Sequence, residues 1–357
     1  MSSQTSSSSP RTRLPALIYT TRDSTVDHLS VPDGVQRIRI DRGVHIELEA
    51  DLGYFEFHKQ IALARMAAAL HQCGAGAYLV GHSAALARGC DIKEHNPDVE
   101  MVGAKAARRS PRWLPVCQYY SAKDKREFVA HPVKILKRRA RCLHEPVEVI
   151  SGLPVTSIPD TILDVAQYSK PLAALVAADS LIRRHCKASR FERATSLDAQ
   201  QEIKARLMRL LHQRAGYPGT VQAKAVIEWM SCLSESVGES VVRWALLVYG
   251  LRDMELQTRI DTRKGTYYPD IFFRRSGIGI EYDGVGKYDD GQTLHNQSVR
   301  QYALQRQGVE MARISGTSLQ ALIVFLQDVH SLVASRQGVV KLEPVHALGR
   351  LNRFYME

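Results

Sequence analysis

Tyr267–Tyr288, YYPDIFFRRSGIGIEYDGVGKY, is the stretch from which the rest of the chain is read. Two short β-rich runs, Tyr267–Phe273 and Ile278–Tyr282, flank Arg274-Arg275-Ser276-Gly277, a hairpin turn by composition. A loop of two or four residues centred there sets Asp270 directly opposite Glu281. Strand side chains alternate between faces, so Glu281 and Asp283 project one way and Ile280 and Tyr282 the other. Directly opposed residues have Cβ atoms about 4.5–5.5 Å apart, and like charges there destabilise a sheet unless a proton or cation lies between them. Carboxylate oxygens are the ligands Mg²⁺ prefers, so the pair predicts a Mg²⁺ site suited to phosphodiester hydrolysis. The competing reading is a surface hairpin whose acids are offset by Arg274, Arg275 and Lys287.

Pro269-Asp270, ten residues, then Glu281-Tyr282-Asp283-Gly284 resembles the PD-(D/E)XK nuclease pattern. More closely, it is similar to the branch related to very-short-patch-repair endonucleases, found at the C-terminus of many actinobacterial proteins. The resemblance implies Asp270, Glu281 and the backbone carbonyl of Tyr282 as Mg²⁺ ligands, with Asp283 as an extra ligand. It also implies Lys287 as the residue that orients or deprotonates the attacking water, and Glu239 as a further acid. For Glu239 the residues offer a rival: Ser236-x-x-Glu239 is a capping box, and Arg243 stands one turn on as an ion-pair partner. Gln257 matches a position just before the family's first strand, or is a polar residue at a strand edge. Further on, the family carries roughly E-K-x-R-[DE], where this chain reads Asn296, Gln297, Val299, Arg300 and Gln301. Arg300 is retained, to hold phosphate or offset developing charge; both acids are amides, which lowers the negative charge of the site.

The bulk numbers fit such a protein. A chain of 357 residues exceeds the ~250–300 at which single cores stop growing, so two or three domains are expected. Its net charge of +11 is unevenly spread. Residues 233–336 hold twelve basic and twelve acidic residues, whereas the first 232 hold 33 against 23. A basic N-terminal part beside a balanced, carboxylate-bearing C-terminal domain suits a DNA partner. Six cysteines without a C-x-x-C pair suggest neither a zinc site nor a disulfide framework, and reduced thiols in a cytoplasmic protein are expected. No secretory core and no apolar run of ~18 residues is seen, so neither an export signal nor a membrane span is expected.

Along the chain, residues 1–13 are Ser-rich and read as a disordered tail. Gln36–Ile40, a turn at Asp41-Arg42-Gly43, and Val44–Leu48 form a half-buried hairpin by alternation. This hairpin resembles the segment closing the small N-terminal domain of AbiEi-type antitoxin proteins, making 14–50 a degenerate winged-helix-like segment. Residues 14–34 hold no convincing helix-turn-helix, so the recognition helix is missing or eroded. Residues 55–72 read as an amphipathic helix, Tyr78–Val80 as a strand, and Gly81-His82-Ser83-Ala84 as a helix opening that resembles the same antitoxin-like proteins. His82 and Ser83 lack a partnered acid and an elbow glycine, so capping and packing explain them better than nucleophile chemistry.

Residues 91–155 read as strands and loops rich in charge. Arg108, Arg109 and Arg112 form one basic cluster, and Lys134, Lys137, Arg138, Arg139 and Arg141 a denser one. Such clusters bind phosphate backbones through counterion release, though a solvated strand face is the equal alternative. Leu153–Ser157 leading into Asp160–Ala166 resembles a signature in the middle of the antitoxin-like family, with Asp160 where the family has Arg. Three or four helices follow to Cys232, with Ser169 and Ser196 as caps and Pro171 in a first turn.

The expected fold class is α+β or α/β in several domains: an antitoxin-like middle domain over 51–232, a PD-(D/E)XK-like mixed sheet flanked by helices over 233–336, and a tail over 337–357. The expected function is Mg²⁺-dependent DNA endonuclease chemistry linked to phage defence or DNA repair. The rivals are a non-catalytic DNA-binding regulator that keeps the nuclease fold, and a module that neutralises a cognate toxin.

Overall fold

The computed structural model describes residues 16–19, 31–103, 111–139, 143–284, 299–316 and 318–337. The chain is a mixed α+β protein that divides into two compact units, Met1–Asp164 and Val165–Glu357. The helices from Pro171 to Trp229, read from the sequence with the middle segment, belong to the second of these units. No helix among the described residues is long and apolar enough to cross a membrane.

In the N-terminal unit, β1 (Leu17–Tyr19), β2 (Val35–Asp41) and β3 (Val44–Glu49) form an antiparallel sheet in the order β1-β3-β2. Ile38 pairs with Ile46, as the alternation predicts. The hairpin's apolar face does not stand alone: Ile38, Ile40, Ile46 and Leu48 share one core with Phe57 and Ile61 of α1 (Tyr54–Cys73) and with Tyr119 and Phe128. Those last two come from a second hairpin, further along the chain. Helix α1 is buried on nearly every side, Arg65 included, and so is not amphipathic. The two terminal nitrogens of the Arg65 guanidinium donate to Asn96 and to the carbonyls of Pro115, Ala130 and His131.

Beyond α1 come β4 (Tyr78–Leu79), α2 (Gly81–Ala87), β5 (Val99–Val102), β6 (Arg112–Leu114), β7 (Cys117–Ser121) and β8 (Arg126–Ala130). Then follow β9 (Val133–Arg138), β10 (Glu148–Ile150) and β11 (Leu153–Val155). Strands β7 and β8 pair as the hairpin that carries Tyr119 and Phe128. Six of the others make a mixed sheet ordered β10-β11-β4-β5-β9-β6, with β4–β11 and β5–β9 parallel. Helix α3 (Ile158–Tyr168) follows. Asp160, in its first turn, is fully buried and accepts the backbone N–H groups of His144 and Glu145 at 3.0 and 3.2 Å, beside the His144 ring. It is an internal staple of this unit.

The C-terminal unit opens with α4 (Pro171–Cys186), α5 (Arg193–Gln213), α6 (Thr220–Trp229) and α7 (Val237–Tyr249). Two predicted caps are corrected: α4 is entered from Lys170, not Ser169, and Ser196 lies inside α5, whose entry residue is Glu192. Pro171 at the first position removes an N–H that would have no helical partner, which lets α4 begin there. A four-stranded sheet follows, ordered β12 (Glu255–Leu256), β15 (Ile271–Phe273), β16 (Ile278–Asp283), β17 (Glu310–Ser315). Between β12 and β15 a small antiparallel hairpin, β13 (Ile260–Thr262) and β14 (Gly265–Tyr267), is inserted. Residues 299–305 are helical, and α8 (Leu319–Gln337) ends the described chain.

Candidate active site

The hairpin from β15 to β16 has the predicted register, Ile271 opposite Ile280 and Phe273 opposite Ile278. Gly277 makes the turn possible, because its φ of +68° lies in the left-handed region and its N–H closes on the Phe273 carbonyl at 2.9 Å. Asp270 sits one residue before β15. Its carboxylate accepts the Tyr282 N–H at 2.9 Å and the Gln257 side-chain amide at 3.1 Å. Gln257 in turn gives its backbone N–H to the Asp270 carbonyl and holds a φ of +47°, so it grips Asp270 by both backbone and side chain.

Glu281 is buried, and its neutralisation comes from downstream. β17 runs parallel to β16 with Arg313 directly beside Glu281, and their charged groups are 3.3 Å apart. Arg300 forms a second ion pair with Glu281 and lays its guanidinium over the Tyr267 ring. Arg313 also reaches Asp283 at 3.7 Å, so Glu281 and Asp283 share a face as the alternation predicts. Burial pushes the Glu281 carboxyl above the usual range, and the Asp270 and Asp283 charges add to this, while Arg300 and Arg313 oppose them. Burial also raises Asp270, against the Tyr282 N–H and the Gln257 amide.

Glu239 closes onto its own helix entry and also lies within electrostatic reach of Asp270. Ser236 caps α7 by accepting the Glu239 N–H at 3.2 Å, and Glu239 reaches back to the Glu235 N–H at 2.8 Å. The Ser236 half of a capping box therefore forms, while Glu239 returns to the N–H one residue before the cap and accepts the Ser236 hydroxyl at 2.9 Å. Its carboxyl is also pushed up to about 8, first by burial and then by the charge of Asp270. Glu239 and Asp270 are thus close enough to repel. The expected pairing of Glu239 with Arg243 is not made: Arg243 binds both oxygens of the buried Asp179 on α4, at 2.7 and 2.6 Å. Ser240 and the Ser231 N–H complete the shell of Asp179, which fixes the start of α7 and so the position of Glu239.

Glu239, Asp270, Glu281 and Asp283 are therefore brought into one electrostatic neighbourhood, with Arg300 among them. Lys287, Asn296 and Gln297 lie outside the described residues; Gln301 is exposed on the helical turn that carries Arg300. Among the described residues, no group of three His, Cys, Asp or Glu side chains is arranged to hold a metal ion. The donor set still suits a hard divalent cation: the half-buried Asp270 and buried Glu281 carboxylates, both with raised pKa values, and a buried Gln257 side-chain oxygen with no hydrogen-bond partner among the described residues.

The basic strand β9 has a different character. Lys134 lies over the Trp113 ring, and Arg138 is committed to Glu100 at 2.5 Å. Glu100 also accepts the His82 N–H at 2.8 Å, and Ser83 accepts the Glu100 N–H. His82, Ser83 and Arg138 are thus parts of one internal network. Lys137 is half-buried, Arg139 is exposed, Arg112 pairs with Asp41, and Arg108, Arg109 and Arg141 lie outside the described residues. Sequence reasoning missed Arg313 and Asp179. The alternation of Glu310–Ser315 places Arg313 on one face, but only the parallel pairing sets it beside Glu281. No family model matches the chain, and no curated protein or solved structure matches it either.

Proposed function

We propose that the C-terminal unit is a metal-dependent phosphodiesterase acting on DNA, on a sheet of the PD-(D/E)XK type. The observation that carries this reading is the mutual repulsion of carboxylates drawn from three elements: half-buried Glu239 from α7, half-buried Asp270 before β15, and buried Glu281 on β16. Folding holds acids together at such a cost where a cation or a shared proton has a task. Asp270, Glu281 and Asp283 would hold Mg²⁺, which when bound supplies polarisation of the phosphoryl group and a more acidic water. Asp270 is kept in one orientation by the Tyr282 N–H and Gln257. Glu239, raised to about 8 by burial and by the charge of Asp270, is suited to give or take a proton near the scissile bond. Arg300 offsets phosphate charge, and Lys287 is the proposed water-orienting residue.

A second reading has its own observation. Arg300 and Arg313 already neutralise Glu281, so a guanidinium occupies the charge position a metal would take. That favours a DNA-binding regulator retaining the nuclease scaffold without cleavage. Incubating the purified protein with plasmid and single-stranded DNA in Mg²⁺, Mn²⁺ or EDTA, beside Asp270→Ala and Glu281→Ala, separates the two. Metal-dependent cutting lost in both variants supports the hydrolase. No cutting with any metal, or cutting unchanged in both variants, rules it out.

A further inference from the structure

Beside the carboxylates stands an aromatic corner that the packing of the unit does not use. Phe191, in a single 3-10 turn over Arg190–Glu192, is 78 % exposed, the second most exposed large apolar side chain among the described residues. Its ring meets that of Tyr268 edge-on, with centroids 5.7 Å apart. Tyr268 is two residues before Asp270. Arg190, next to Phe191, is within electrostatic reach of both Asp270 and Glu239. The two rings therefore belong to segments whose next residues reach the acids: Arg190, ion-paired with Glu235, and Asp270 itself.

A basic finger leads into the same corner. The hairpin β13–β14 turns at Arg263-Lys264, both exposed, and Arg259 at its base has a side chain 65 % exposed. Asp261 is the only acid from 259 to 267, and it is occupied by Arg259 and Thr266. Tyr268, where the finger ends, is within electrostatic reach of Arg259. The finger's inner side, Ile260 and Tyr267, packs on Phe272, Leu304 and Val309, so its base is anchored while its tip faces solvent.

We propose that this corner is the binding site for a single-stranded polynucleotide, with an unstacked base on Phe191 and Tyr268 and its phosphates along Arg263 and Lys264. Stacking on an exposed ring needs a base whose π-face is free, which a paired duplex does not offer. Cations on a projecting hairpin track a backbone without reading sequence. The inference deepens the proposed phosphodiesterase by naming its substrate class, and it rests on that reading only for the cleavage of a strand once bound.

The test is fluorescence anisotropy in EDTA, where nothing is cut, with the full chain and labelled oligothymidylate, oligouridylate or a matched duplex. Either single strand should bind more tightly than the duplex. Phe191→Ala should weaken single-strand binding roughly 5- to 100-fold and leave duplex binding unchanged, while Phe191→Trp restores it. Replacing Arg263 and Lys264 by Ala should flatten the log K against log salt slope by about 1.4. Thermal melting of each variant excludes misfolding, and the exposure of all three side chains makes a large shift unexpected. Equal affinity for duplex and single strand with a silent Phe191→Ala overturns the inference, as does no binding to any of the three, the result expected of a protein-docking corner. Single-strand binding in EDTA without hydrolysis in Mg²⁺ upholds this inference and removes the hydrolase; hydrolysis without single-strand preference does the reverse.

Discussion

Gly238 lies against the ring of Tyr282: a Cβ on this glycine would come 2.0 Å from the ring's Cε1. That contact seats the first turn of α7 on β16 and so brings Glu239 towards Asp270. Gly238→Ala should destabilise the protein by about 1–3 kcal/mol in urea unfolding, through overpacking. Shortening Tyr282 to Leu in the same chain should recover part of the loss.

The Asp179–Arg243 pair predicts a larger effect. Both side chains are buried and doubly hydrogen-bonded. Asp179→Ala leaves a buried guanidinium without its counter-charge, and a loss of about 3–5 kcal/mol is expected from chemical denaturation. Replacing both residues by Leu should cost less than the single change, because no charge is then left buried.

Glu100 gives a dependence on pH in the N-terminal unit. Burial alone would raise its pKa, but the His82 and Arg138 contacts outweigh burial and bring it down from 4.5 to about 2. Its stabilising contribution is therefore complete above pH 4.5 and is lost as pH falls towards 2. Glu100→Gln should be about 2 kcal/mol less stable than the parent at neutral pH. The two melting curves should converge as the pH approaches 2. A gap that stays constant down to that pH would sink this account.

Arg300 is predicted to compete with the metal. Arg300→Gln removes one of the two cations on Glu281, and Mn²⁺ binding measured by calorimetry should tighten, up to roughly tenfold. Cleavage, if Arg300 also holds phosphate, should fall in the same variant. Unchanged Mn²⁺ affinity would show that Glu281 is not a ligand.

The part of the site that could be read from the residues is local in sequence. Gly277 and the alternation of Ile278, Ile280 and Phe273 set the register of the hairpin, and Ser236-x-x-Glu239 announced the start of α7. Arg313 was hidden because a parallel strand pairs at long range, and its register is fixed by packing rather than by a turn. Asp179 was hidden because nothing in the pattern of α4 marks which polar residue will face Arg243. Helix α1 was misread for a related reason: its apolar stripe is visible, but the elements that bury its other sides lie far along the chain.

The order of charges along the backbone also bears on biosynthesis. Glu239, Asp270 and Glu281 leave the ribosome before Arg300 and Arg313, since a chain is made from its N-terminus. A nascent chain that has emerged only as far as Gly284 holds the acids of the hairpin with neither of the guanidiniums that later balance Glu281. The sheet becomes electrically complete only once the strand carrying Arg313 arrives, so assembly of this centre waits on chain made after the acids themselves.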